Sequence, residues 1–188
     1  AAAIVSSLLL LFLAVPVFLV FGVGSALVAI IGLQLPWSTL IQVAFGAVTK
    51  QVLLAIPLFI FTGLIMLRSG VARRLVDFAL SLVGHLPGGL GIAMVLTMGF
   101  FAAFSGSGIM ILAAITAVGT IMMPEMIAKE YSRTFTVTLA AAAGLLEALI
   151  PPSNAAIIYS SLTGVPVSRT FAAGVLPGGV LMIVLILL

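Results

Sequence analysis

Residues 90–123 and 134–163 are too apolar to face water and too long to cross a bilayer as single helices. As one helix, the first run would be about 50 Å long and the second about 45 Å. The hydrocarbon core of a membrane is only roughly 30 Å thick. Each run carries its own interruption, "SGSG" at 105–108 and "IPPSN" at 150–154. Two consecutive prolines remove two backbone donors and clash with the preceding turn, so no undisturbed helix passes through residues 151 and 152. The rest of the chain agrees with a membrane setting, being 64% hydrophobic and 6% charged, with no charged residue from Ala1 to Thr49. A soluble domain carries roughly 25% charged residues. Long continuous apolar runs also differ from the short alternating segments of a membrane β-barrel. The expected fold class is all-α integral membrane.

The two long runs resolve differently. Split at 105–108, the first gives two pieces of about 22–24 Å, short for a full crossing. Both of its outer flanks are basic, with Arg73, Arg74 and His85 before it and Lys129 and Arg133 after it. That pattern predicts a re-entrant hairpin over 87–123 with its tip at Ser105–Gly108. The second run has Arg133 before it and Arg169 after a "TGVPVS" turn. It predicts a single crossing over 134–163 made of two half-helices. Elsewhere, residues 4–22 read as a first span kinked at Pro16, with a tight break at "GVGS" (22–25), and 51–68 as another span. Over 70–86 one helical face holds Val71, Leu75, Phe78, Ala79 and Leu82, and another holds Arg73, Arg74, Asp77 and Ser81. This is the pattern of an interfacial helix. The expected organisation is scaffold helices over 1–69, an arm helix over 70–86, a transport half over 87–163, and a further helix beginning over 164–188. An apolar run still in progress at Leu188 leads us to expect a longer polypeptide. With Arg68, Arg73, Arg74, Lys129 and Arg133 on one face, and Lys50 and Arg169 on the other, the first face is cytoplasmic by the positive-inside bias.

Irregular backbone at membrane depth is tolerated only where protein buries it or a polar cavity meets it. The half-helix C-terminal ends near Phe104–Ser105 and Leu149–Pro151 offer carbonyls suited to Na⁺. The N-terminal ends near Ser107–Ile109 and Ser153–Ala155 offer N–H groups suited to a carboxylate. Opposed half-helix ends of this kind recur in secondary transporters. Gly106 and Gly108 allow a ligand to approach the backbone closely.

Five stretches carry a family resemblance: "LLAIPLFIFTG" (53–63), "RRLVDFALSLVGHLPGGL" (73–90), "FSGSG" (104–108), "GTIMMPEM" (119–126) and "LIPPSNAAIIYSSLTGV" (149–165). With them the chain resembles the large membrane subunit of TRAP transporters (tripartite ATP-independent periplasmic transporters, DctM type). The resemblance implies an inverted-repeat, elevator-type secondary transporter of the bacterial cell inner membrane, of which this chain is the first repeat. It implies Na⁺ as the coupling ion, no organic cofactor, and uptake of a small carboxylate solute. It also implies two partners besides the lipid bilayer, a small membrane subunit and a periplasmic substrate-binding protein. Carried over residue by residue, Ser105, Gly106, Ser107, Gly108, Pro151 and Pro152 would bind Na⁺. Ser107, Ser153 and Asn154 would contact substrate.

Glu147 departs from the small or glycine residues common at that turn in the family. An intramembrane carboxylate is a functional candidate by default. It could ligate a cation, carry a proton, or pair with a basic residue from elsewhere in the polypeptide. A carrier from another inverted-repeat family, such as a Na⁺/dicarboxylate symporter or an ion exchanger, would work without a binding protein. An intramembrane serine protease built on Ser107 and His85 fails on spacing and depth, so no enzyme activity is expected. His85 is the only histidine and the chain has no cysteine, which disfavours a transition-metal site. The net charge of +3 comes from few residues and forms no basic face for nucleic acid.

Overall fold

The computed structural model describes residues 2–106 and 110–188, and among these the secondary structure is helical throughout. Contact density divides the chain after Lys50 into two compact units.

The first unit holds α1 (Ala2–Phe12), α2 (Val17–Leu27) with a π-helical extension over Val28–Gly32, and α3 (Trp37–Val48). The single span expected over 4–22 is not formed. The helix closes at 13–15, with Ala14 at φ 54, and Pro16 caps the start of α2. A proline suits a helix start, where no N–H is required, better than a helix interior. The two helices then pack on each other, Ser7 lying where a side chain on Gly24 would stand. The break expected at 22–25 is likewise absent, since those residues lie inside α2. Glycine's weak helix propensity yields where the backbone has few other hydrogen-bond partners, and Ser25 returns its hydroxyl to the Gly22 carbonyl at 3.0 Å.

The second unit begins with a 3₁₀ turn (Gln51–Leu54) that leads into α4 (Ala55–Arg68). Pro57 is harmless in the first turn of α4. α4 thus groups with the hairpin and broken helix rather than with residues 1–50. α5 (Val71–Val83) presents three faces rather than two. Ala72, Val76 and Ala79 are buried against neighbouring helices, Phe78 and Leu82 are exposed, and Arg73, Arg74 and Asp77 form the polar face. Small side chains make up the packed face because they let helix backbones approach closely.

α6 (Gly89–Ser105) and α7 (Met110–Ala128) are the two arms on either side of the tip, and α5 packs against both. The second arm runs past the expected limit of residue 123, because α7 continues through Pro124 to Ala128. At 19 residues, about 28 Å, it is long enough to cross a membrane and not the short piece expected. α8 (Arg133–Gly144) starts where the Ser132 hydroxyl accepts the Phe135 N–H at 3.1 Å. It leads through Leu145 into α9 (Leu146–Leu149), and after a gap α10 (Asn154–Thr163) completes the run. Gly164, at φ +75, ends α10 in the left-handed conformation that glycine adopts without penalty, and Pro166 then starts α11 (Val167–Leu187). The core centres on α6, with Met94, Phe101, Val118, Met122 and Leu146 fully buried. Hydroxyls in these helices mostly turn back on their own backbone, as Thr62 does to Leu58, Thr97 to Ala93 and Thr116 to Leu112. Bonding of this kind removes the cost of an open donor in lipid.

Four stretches are long and apolar enough to cross a membrane: Gln51–Arg68, Ile111–Ala128, Arg133–Thr163 and Val167–Leu187.

Candidate functional site

The gap in the broken helix follows from its prolines. A residue before proline is pushed out of the α region, and Ile150 accordingly sits at ψ 126. Ser153 is also extended, at φ −131 and ψ 124, so the chain unwinds from 150 to 153. The Pro151–Pro152 peptide is cis. Because residues 151 and 152 have no N–H, the carbonyls of Glu147 and Ala148 lose the partners a continuous helix would give them.

The end of α6 meets this gap. Gly106 adopts φ +59 and ends α6 beside Pro152: a Cβ there would lie 3.1 Å from Pro152 Cγ and 3.2 Å from its carbonyl oxygen. On another side the same Cβ would lie 3.3 Å from Phe59 Cγ of α4. A side chain at 106 would therefore be both strained and crowded.

Two adjacent residues tie the hairpin to both halves of the broken helix. The Ser105 hydroxyl donates to Glu147 Oε1, upstream of the prolines. Downstream, the Asn154 N–H donates to the Gly106 carbonyl at 2.7 Å. Ser105 is fully buried, Glu147 is 2% exposed and Ser153 is 5% exposed. The Asn154 Oδ1 atom is buried and has no hydrogen-bond partner among the described residues.

These contacts change the expected site in one respect. The first N–H of α10 was expected to be open to a ligand, yet in this conformation the Gly106 carbonyl occupies it. A half-helix start has several such groups, and those further into the first turn also have no partner within their own helix. Of the sequence-derived site residues, Ser105, Gly106, Pro151, Pro152, Ser153 and Asn154 converge on one locus. Ser107 and Gly108 lie outside the described residues. Glu147, the departure from the family pattern, finds a partner in Ser105.

Three participants were not visible in the sequence reading. Phe59 reaches the hairpin end from α4. Gly174 and Gly178 of α11 pack on the end of α9: a Cβ at 174 would stand 2.6 Å from the Leu149 carbonyl oxygen, and one at 178 would stand 3.0 Å from Ile150 Cγ1. Their G-x-x-x-G spacing is a known signature of close helix approach and could have marked this face of α11.

Apart from the Asn154 side-chain amide nitrogen, the polar atoms gathered here are oxygens or backbone N–H groups, and among the described residues no cluster of three or more His, Cys, Asp or Glu exists. Such a donor set suits a hard monovalent cation and an anionic solute rather than a transition metal.

The chain has clear relatives among known proteins. Residues 4–188 match the family "Tripartite ATP-independent periplasmic transporter, DctM component". The chain is 45% identical over 133 residues to the C4-dicarboxylate TRAP transporter large permease protein DctM of Pseudomonas aeruginosa, covering 71% of this chain and 30% of that protein. It is 38% identical over 176 residues to the Vibrio cholerae protein of the same name, covering 92% of this chain and 38% of that one. A third relative, the isethionate TRAP transporter permease protein DctMQ of Oleidesulfovibrio alaskensis, is 37% identical over 170 residues, 89% of this chain and 26% of the relative. The chain thus spans about a quarter to two fifths of the length of these relatives, which are transporter permeases and not enzymes. From its matched family, its relatives and its apolar helices, this chain belongs to the DctM component of the TRAP transporters and is part of a multi-pass membrane protein.

Proposed function

We propose that the chain forms the first inverted repeat of a large permease subunit that takes up a carboxylate-bearing organic solute across the bacterial inner membrane, driven by Na⁺. In this reading Ser105, Gly106, Ser107, Gly108, Pro151 and Pro152 surround the coupling ion, and Ser107, Ser153 and Asn154 face the solute. A soluble periplasmic protein delivers that solute, a small membrane subunit completes the complex, and an elevator-type displacement carries the site across. Helix-end carbonyls stabilise the cation and helix-start N–H groups stabilise the anion, so neither requires a fully charged side chain at membrane depth.

The observation that carries the reading is the meeting of the two helix breaks, where the Asn154 N–H reaches the Gly106 carbonyl at 2.7 Å. Two breaks placed apart in the bundle would suit kinks or packing; two in contact make a shared polar locus. The names of two relatives, both C4-dicarboxylate permeases, are in keeping with a carboxylate solute.

The test is uptake by the full-length complex reconstituted in proteoliposomes, with a C4-dicarboxylate as first solute. Uptake should need both an inward Na⁺ gradient and the binding protein. Equal uptake without the binding protein would favour a stand-alone Na⁺/dicarboxylate symporter or exchanger instead.

A further inference from the structure

Ser105 departs from most hydroxyls in this bundle, as does Ser160, which pairs with the Thr170 hydroxyl at 2.8 Å. Thr62, Thr97 and Thr116 each donate to the carbonyl four residues back in their own helix. Ser105, at the end of α6, donates across to Glu147 Oε1 instead. A hydroxyl has one hydrogen to give and two lone pairs to offer. Turned inward on α6, the Ser105 hydrogen would leave the rotor set by the helix. Given to Glu147, it fixes the rotor from outside, with the lone pairs directed away from the carboxylate. When ionised, Glu147 makes this hydrogen bond stronger and draws density onto the donor oxygen.

The surroundings of Ser105 Oγ favour a cation. Gly106, the next residue, accepts the Asn154 N–H with its carbonyl, so Ser105 stands beside the unwound segment. The buried Asn154 Oδ1, an acceptor with no partner among the described residues, belongs to the same locus.

From this geometry we propose that Glu147 is a positioning residue for Na⁺. It takes the hydrogen of Ser105, holds the lone pairs of Ser105 Oγ toward the ion, and sets a carboxylate one hydrogen bond behind it. The proposal rests on the Na⁺ reading given above and adds to it a specific outer partner. Groups that orient a metal ligand in this way typically affect affinity tenfold to a hundredfold. A singly charged ion places the expected effect at about the lower figure.

The full-length permease, with its small subunit and binding protein, provides two readouts. One is the Na⁺ concentration for half-maximal uptake in proteoliposomes. The other is the rise in melting temperature of the detergent-purified permease when NaCl replaces choline chloride. Glu147→Gln keeps an acceptor oxygen but loses the charge. It should raise the half-maximal Na⁺ concentration about tenfold and shrink the Na⁺-dependent rise in melting temperature, leaving the solute KM at saturating Na⁺ unchanged. Ser105→Ala should do at least as much, and Glu147→Gln should add nothing in the Ser105→Ala background.

A Na⁺-driven complex in which Glu147→Gln leaves both readouts at their original values overturns this proposal alone, since the tie would then serve structure only. A full further shift on top of Ser105→Ala also overturns it, because Glu147 would then touch the ion directly. Uptake by the unmodified complex that runs equally well in choline chloride overturns the Na⁺ reading itself. Should Glu147→Gln not fold, Glu147→Asp keeps the charge but withdraws it by one methylene. It should also raise the half-maximal Na⁺ concentration, and an unchanged value overturns the proposal.

Discussion

Replacing Gly174 with alanine tests whether α11 holds the end of α9 in place. A Cβ at 174 would stand 2.6 Å from the Leu149 carbonyl oxygen and 3.8 Å from its carbonyl carbon. A relaxed carbon–oxygen contact lies at about 3.3 Å or more, so the two backbones must separate by roughly 0.7 Å. Neither partner is the flexible end of a side chain, so the shift must move α11 or the last turn before the prolines. Overpacking of this kind costs about 1–3 kcal/mol. Exchange of glycine for alanine inside a helix returns roughly 0.5–1 kcal/mol. The net loss therefore falls within about 0–2.5 kcal/mol and centres near 1 kcal/mol, and each kcal/mol lowers the melting temperature by about 2–4 °C in a body of roughly 150–250 residues and by less in the longer full-length subunit.

The control is on the same helix. Among the described residues nothing lies within 4 Å of a Cβ at Gly179, so Gly179→Ala keeps the helix gain without the clash. It should be neutral or slightly stabilising. Thermal unfolding of the full-length subunit in detergent measures both variants side by side. Initial uptake rates report whether the displaced Leu149 end disturbs the site. Equal melting temperatures for Gly174→Ala and Gly179→Ala would refute the reasoning, since α11 could not then abut the Leu149 carbonyl.

Gly106→Ala should abolish most uptake, because alanine at φ +59 carries an intrinsic penalty of about 1–2 kcal/mol and its methyl group would press on Pro152 and Phe59. Wild-type rates and stability in this variant would mean that α6 does not end against the prolines. Ser132→Ala removes the acceptor for the Phe135 N–H and should cost about 1 kcal/mol of stability, which Ser132→Asp should restore. Na⁺ dependence should stay unchanged in both Ser132 variants, as measured by half-maximal activation in proteoliposomes.

The second unit was more legible in the sequence than the first, for a physical reason. Length set against bilayer thickness forces a break somewhere in 90–123 and 134–163, and only "SGSG" and "IPPSN" supply residues able to make one. The structure places helix ends at Ser105 and Leu149. No such excess length constrains residues 4–25. There the roles of Pro16 and the 22–25 glycines depended on whether α2 could fold back onto α1, which is a tertiary matter. The same limit applies to α7: the apolar run reads as ending at residue 123, yet the helix continues through Pro124 to Ala128. Amphipathic patterning located α5, but it could not tell its packed face from its exposed apolar one. Ala72 and Val76 are simply smaller than Phe78 and Leu82, and packing selected the small side. Within the site, the polar residues at each break were evident one by one. Their pairing was not, since Ser105 and Glu147 are 42 positions apart and local pattern does not report such a contact.

The bond from Asn154 to Gly106 has a consequence for observing the permease at work. A backbone amide exchanges its hydrogen with solvent only when its hydrogen bond opens and water arrives. The N–H of Asn154 is the first of α10, a position that has no partner within its own helix. Its protection therefore depends on the docked end of α6 and not on the integrity of α10. Exchange at this one amide registers separation of hairpin from broken helix, while amides deeper in α10 register unfolding. Mass spectrometry of the two sets, with and without Na⁺ and solute, reads the opening of the site from the chain's own hydrogens, with no label attached.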